Sequence, residues 1–335
     1  MGTGSSLAIL VLGGTAWLGR EIARQALAQG HSVTCLARGA SGTVADGAQL
    51  VQADRLEPDA YDAVRCRSWD AVFELTWQPR MARAALAALR ERAAHWIYVS
   101  SGSVYASHAA LGEDETAPLL APTGEGQVGL EAYGEAKVAC ELACRASGED
   151  GLLIARSGLI AGPGDPSDRA GYWVARAARD GAAPMLVPAD AASVPVQAID
   201  VRDIAAWLLA CARTHTCGTY DVVGERLTLA EWVEVSRRIG GHSGPLVRAP
   251  SDWLLAQGVQ EFMGEESLAL WLADPLWRGF CARDGGRAVR AGLARRPVAD
   301  TISDTLVGER QLGLARPRKA GLSAAHEAAL IAALV

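Results

Sequence analysis

The chain has 335 residues, of which 50% are hydrophobic and 21% charged, and its formal net charge is −6. That composition excludes a disordered chain, and the acidic balance argues against a protein that grips nucleic acid or an anionic membrane through a basic face. At roughly 150 residues per domain, the length suits two domains or one large domain with an appended lobe.

The first apolar run, LAILVL (7–12), predicts a strand. It is far shorter than the about 20 residues a spanning helix needs. Residues 1–6 carry no basic side chain of the kind that opens a signal peptide, so a soluble, cytoplasmic protein is expected. GGTAWLG (13–19) follows, then a helix through REIARQALAQ (20–29) with Gly30 as its stop. Further strands are predicted at 31–37, 49–54, 71–76, 95–101 and 152–157, with helices at 81–92 and 132–147 between them. These strands are continuously apolar rather than alternating, as parallel strands covered on both faces are. Alternation of strand and helix then predicts a doubly wound parallel sheet, a Rossmann-like α/β fold.

The pattern loosens after Ile160. Residues 162–169 (GPGDPSDR) are rich in turn formers, 172–180 reads as a helix, and 194–200 and 219–224 as strands returning to the sheet around a helix at 201–213. Residues 225–300 mix helices with Trp-rich loops, and 324–335 predicts a tail helix. The expected division is a dinucleotide-binding domain (1–162 and 194–224), a discontinuous substrate lobe (163–193 and 225–312) and a C-terminal tail (313–335). Seven Cys occur without zinc spacing, so no metal site is expected; Cys140 and Cys144 lie one turn apart, and no second pair completes a site.

Two constellations carry chemistry. In the first, the glycine turn follows a strand and opens a helix, the context of a dinucleotide site. Gly13 permits the tight turn, Gly19 lets the helix pack close, and the helix start, with Thr15, Ala16, Trp17 and Leu18, offers free N–H groups to a pyrophosphate. Ala16 replaces the middle glycine. An NAD site usually places an acidic residue at the end of the second strand; here Ala37 is followed by Arg38, whose guanidinium suits a 2′-phosphate. NADP(H) is therefore expected over NAD(H). Asp54 and Arg55 after the third strand, Leu75 and Thr76 after the fourth, and Val99 on the fifth are candidate cofactor contacts. In the second constellation, Tyr133 and Lys137 share a helix face at i, i+4, and Ser101 ends a strand. A phenol titrates at about 10, and an ammonium beside it lowers that value toward useful proton transfer. Lys occurs only twice in the chain, at 137 and 319, which makes its position here specific.

The sequence resembles the extended short-chain dehydrogenase/reductase family, in its epimerase/dehydratase-like branch. The resemblance rests on GGTAWLG (13–19), VSSGSVYA (99–106), YGEAK (133–137), ARSGLIAGPGD (155–165) and PVQAIDVRDIA (195–205), in that order. It implies that Ser101, Tyr133 and Lys137 are catalytic, that Lys137 also binds the nicotinamide ribose, and that Ser157, Gly158 and Leu159 line the nicotinamide. Dehydratases of the family carry an Asp-Glu pair where this chain has Gly102 and Ser103. Its epimerases often hold the nucleotide with an Asn, and this chain has none. The expected function is NADP(H)-dependent reduction of a ketone or aldehyde, or oxidation of the alcohol. Rival readings are an NAD-dependent nucleotide-sugar epimerase and a non-catalytic nucleotide- or RNA-binding member. Trp77, Ser103, Tyr105 and Trp173 are candidate substrate contacts. The expected partner is a small carbonyl or alcohol substrate, with no nucleic acid or membrane; a homodimer follows by analogy with the family.

Overall fold

The computed structural model describes residues 6–334. The leader reading on residues 1–5 and the predicted last residue of the tail helix, Val335, lie outside them. In chain order the strands that matter are β1 (Ala8–Leu12), β2 (Ser32–Ala37), β3 (Gln49–Gln52), β4 (Trp69–Glu74), β5 (Ala93–Ser101), β6 (Leu152–Ser157), β7 (Leu159–Ala161), β8 (Met185–Pro188), β9 (Pro195–Asp200), β10 (Gly218–Val222), β11 (Arg226–Thr228) and β12 (Leu246–Ala249). The helices are α1 (Trp17–Ala28), α2 (Pro79–Leu89), α3 (Tyr133–Ala146), α4 (Tyr172–Arg179), α5 (Val201–Thr214), α6 (Leu229–Gly240), α7 (Ser251–Ala256), α8 (Gly286–Arg290), α9 (Val298–Leu312) and α10 (Ala324–Leu334).

Seven strands form one parallel sheet in the order β10-β6-β5-β4-β1-β2-β3. The order reverses beside β1, between the halves of a doubly wound sheet, and ligands bind such sheets at that point. Both faces are covered. Ile22 and Ala26 of α1 and Ile204 and Leu208 of α5 pack on one, and Ala82 and Leu86 of α2 with Cys140 and Cys144 of α3 on the other. The apolar runs 9–12 of β1, 71–73 of β4 and 152–155 of β6 are buried, as on strands covered on both faces. The helix expected at 81–92 begins earlier, at Pro79, whose fixed φ suits a first helical position, and a 3-10 turn follows it through Arg92.

One expectation is corrected. The strand at 194–200 does not return to the main sheet. β9 instead joins β7 and β11 in a separate three-stranded sheet, with Val194 and Val196 in the lobe core and Ile199 under the main sheet. The expected tail helix is α10, and the C-terminal segment packs onto the lobe. Leu322 and Leu330 are buried in the lobe core with Trp173, Trp232 and Trp271. Glu327 of α10 is buried, pairs with Arg176 of α4 and accepts from Leu186 N at 3.1 Å. No helix among the described residues is long and apolar enough to cross a membrane.

Candidate active site

The glycine turn leaves β1 at the sheet's switch point. Gly13 adopts φ +103°, a region that L side chains avoid, and its N–H donates to Leu36 O at 3.0 Å. A Cβ on Gly19 would sit 2.5 Å from Gly13 O, so only glycine lets α1 start this close to the turn. Ala16, the N-cap of α1, makes no side-chain cap, and the first-turn N–H groups are free for an anion. Ala16 is exposed, so its methyl does not close the turn. Gly13, Thr15, Ala16, Arg38, Leu75 and Thr76 line one open cleft. A dinucleotide therefore fits the residues present.

Other expected cofactor contacts divide. The Arg38 side chain is 60% exposed at the mouth of that cleft, 3.8 Å from the Asp54 carboxylate, so it is free to move onto a ligand. Trp17 donates its indole N–H to Pro163 O at 2.9 Å, which ties the turn to the lobe, and Leu18 is half-buried against the core. Arg55 borders the cleft, but its guanidinium is buried and paired with Glu74 (Nη1 to Oε1, 2.9 Å) and Tyr61. Glu74 Oε1 also accepts from Thr76 N at 2.9 Å, so the pair braces the end of β4. Leu159 is packed in the lobe core, and Ser157 Oγ donates to Gly158 O.

The end of β5, which carries Ser101, and the start of α3, which carries Tyr133 and Lys137, come together at the C-terminal edge of the sheet. Lys137 is buried, and its ammonium bridges two strand ends, donating to Val99 O at 2.6 Å and Thr76 O at 3.0 Å. Tyr133 lies one turn earlier on α3, its ring 5.5 Å from that of Trp77. Ser101 ends β5; its Oγ accepts from Ser103 N at 3.1 Å and donates to Ser103 Oγ at 3.2 Å. Gly134 brings the helix and the serine turn together, because a Cβ there would lie 2.4 Å from Ser103 O.

Two expected substrate contacts are corrected. Trp173 has no exposed surface and donates its N–H to Ala269 O at 2.7 Å inside the lobe core. Tyr105 is 1% exposed. Its hydroxyl donates to Asp221 Oδ1 at 2.6 Å and accepts from Arg156 at 3.1 Å, while the Arg283 guanidinium lies 3.4 Å over its ring. Arg156 pairs with Glu141, which accepts from Ser100 Oγ at 2.6 Å. A buried charged network thus underlies the serine turn. Burial pushes the Asp221 carboxyl up to about 6, against the Tyr105 hydrogen bond and the Arg283 charge. The sequence offered one signal for it: a charged residue, Arg156, in an apolar buried strand requires a partner.

The model of the NAD dependent epimerase/dehydratase family matches residues 9–222. No curated protein sequence matches the chain. Among solved structures, a protein of Burkholderia cenocepacia J2315 described as a candidate epimerase superposes with a TM-score of 0.70 at 22% identity, covering 92% of this chain and 99% of its own. The UDP-Glc/GlcNAc 4-epimerase of Campylobacter jejuni gives 0.68 at 15% identity, over 92% and 100%. The UDP-glucose 4-epimerase of Thermus thermophilus, solved with NAD, gives 0.65 at 18%, over 91% and 99%. At these identities the likeness is one of fold.

Proposed function

The chain belongs to the NAD dependent epimerase/dehydratase family, whose enzymes are of the extended short-chain dehydrogenase/reductase type, and from that premise we propose an NADP(H)-dependent oxidoreductase that reduces a ketone or aldehyde, or oxidises the alcohol. The observation that supports this reading is the Lys137 ammonium held at Val99 O and Thr76 O, one helical turn from Tyr133 and on the strand that ends in Ser101, with Thr76 also lining the cleft of the Gly13–Ala16 turn. When bound, the nicotinamide supplies or accepts the hydride. In the reduction direction Ser101 Oγ holds the carbonyl oxygen, and the Tyr133 phenol gives that oxygen its proton. Lys137 has three N–H donors, and two are taken by Val99 O and Thr76 O. The third remains for the nicotinamide ribose. Arg38 supports NADP(H), because β2 ends in Ala37 with no carboxylate to take the ribose hydroxyls.

A second reading, an NAD-dependent nucleotide-sugar epimerase, is supported by the UDP-sugar epimerases among the similar folds. One experiment separates them. The protein is purified without added nucleotide, denatured, and its released nucleotide identified by mass; NADPH and NADH are then titrated into the empty fraction. An empty or partly filled site preferring NADPH is expected. Stoichiometric, non-exchanging NAD⁺ would favour the epimerase, and no binding of either nucleotide would overturn both.

A further inference from the structure

We infer that Arg169 is the substrate's anion anchor: it takes a carboxylate or phosphate group on a substrate whose apolar body lies along an aromatic wall of the lobe. This deepens the oxidoreductase reading and rests on it for the identity of the reacting carbon.

The guanidinium is half-buried, with Cζ 5.1 Å over the ring of Phe262. Its Nε donates to Ser167 Oγ at 3.0 Å. Its two terminal amino groups have no hydrogen-bond or ion-pair partner among the described residues. The four most deeply buried guanidinium groups are paired, Arg55 with Glu74, Arg156 with Glu141, Arg176 with Glu327 and Arg283 with Asp221, whereas the half-buried Arg295, like Arg169, has no ion-pair partner among the described residues. Asp165 is near, but its carboxylate is taken up by Ser167 N (2.8 Å), Ser167 Oγ (2.6 Å) and Ala170 N (3.3 Å). A half-desolvated cation without a partner is costly, and burial pulls its pKa down accordingly.

The side chain is also built into place. Asp168, the preceding residue, has φ +63°, which is strained for a residue other than glycine. Its carboxylate is clamped by Arg316 Nη1 at 3.0 Å and Lys319 N at 2.9 Å, so the C-terminal segment fixes the direction in which Arg169 leaves the backbone. The segment that carries Arg169 also meets the glycine turn, where Trp17 donates its indole N–H to Pro163 O at 2.9 Å.

Aromatic rings continue from there. Phe262 meets Phe280 at 5.6 Å, Phe280 meets His108 at 5.0 Å, and His108 stacks on the 48% exposed Trp277 at 5.0 Å. His108 is 8% exposed, and its buried Nδ1 has no partner among the described residues. Burial and Arg283 push its pKa down to about 4, so at neutral pH the ring carries no charge and Arg169 supplies the wall's cation. Two free amino groups on one guanidinium edge match the two oxygens of a carboxylate or phosphate. A neutral substrate would leave them unpaired.

The test is titration calorimetry of the full chain, with and without NADPH, against phenylglyoxylate, phenyl phosphate and neutral methyl phenylglyoxylate. At least one anion is expected to bind about tenfold or more tighter than the ester. Arg169→Gln should remove that difference and Arg169→Lys should retain part of it, with thermal unfolding confirming that both variants are folded. A stronger phenylglyoxylate signal assigns a carboxylate, and a stronger phenyl phosphate signal a phosphate. Equal binding of all three ligands, no binding of either anion, or an unchanged preference in Arg169→Gln overturns the proposal. Failure of NADPH to bind while the anion preference persists would remove the oxidoreductase reading and leave the Arg169 anchor standing.

Discussion

Gln78 and Val128 are joined by two hydrogen bonds: the Gln78 side-chain amide donates to Val128 O at 3.0 Å and accepts from Val128 N at 3.1 Å. Gln78 directly follows Trp77, and Val128 lies on the segment that leads into Tyr133. A neighbouring bond, Arg80 N to Gly126 O at 2.7 Å, fastens the same segment to the start of α2. The Trp77–Tyr133 ring contact is therefore held from both of its ends. Gln78→Ala removes both side-chain bonds at a net cost of about 1–3 kcal/mol. Steady-state kinetics should show kcat falling by about tenfold, with NADPH affinity kept. Unchanged kcat would deny Gln78 a positioning role.

Tyr133→Phe removes the proton donor and leaves the ring against Trp77. With the hydroxyl as the proposed proton donor and the ring kept in place, kcat should fall by roughly two to four orders of magnitude. Cofactor affinity, measured by NADPH fluorescence, should stay near that of the parent. Turnover close to that of the parent would exclude the Ser101/Tyr133/Lys137 mechanism.

The elements of the candidate site were legible in the sequence because their signals are local: a strand followed by a glycine turn, a strand end and an i, i+4 pair each act within a short stretch of chain. The central strands were legible because burial on both faces leaves runs 9–12, 71–73 and 152–155 of β1, β4 and β6 apolar. What escaped depends on distant partners. β9 reads as another sheet strand, yet its neighbours are the three-residue strands β7 and β11, too short to show a pattern. Trp173 and Tyr105 look like cleft residues because an aromatic side chain serves core and pocket alike; only the fold puts Ala269 O beside one and Asp221 beside the other. Arg55 does line the expected cleft, but nothing local reveals Glu74 as the partner that holds its guanidinium.

Arg38 offers a test of cofactor choice that leaves the fold untouched, since its side chain is exposed. Replacing it with Asp removes the group proposed to hold the 2′-phosphate and adds a carboxylate suited to ribose hydroxyls. NADPH should bind about tenfold or more weakly, and the NADPH/NADH affinity ratio should move toward NADH. The new carboxylate would face Asp54, now 3.8 Å from Arg38, so Arg38→Ala serves as the control that removes the cation alone. A ratio that stays fixed in both variants would make Arg38 a surface residue.

Asp221 gives the fold a pH dependence of defined sign. Burial pushes its folded-state pKa up to about 6, whereas an unfolded Asp titrates at about 4. Between those values the folded protein holds a proton that the unfolded chain releases, so the stability this site contributes in acid is lost as pH rises through the window. Asp221→Asn does not titrate, and its amide oxygen can still accept from Tyr105. Urea midpoints of the two proteins, compared from about pH 4 to pH 8, should show the parent losing ground to the variant up to about pH 6–7 and a constant difference above it. A difference that stays flat across the whole range would mean that Arg283 and Tyr105 outweigh burial and keep the carboxylate ionised beneath the serine turn.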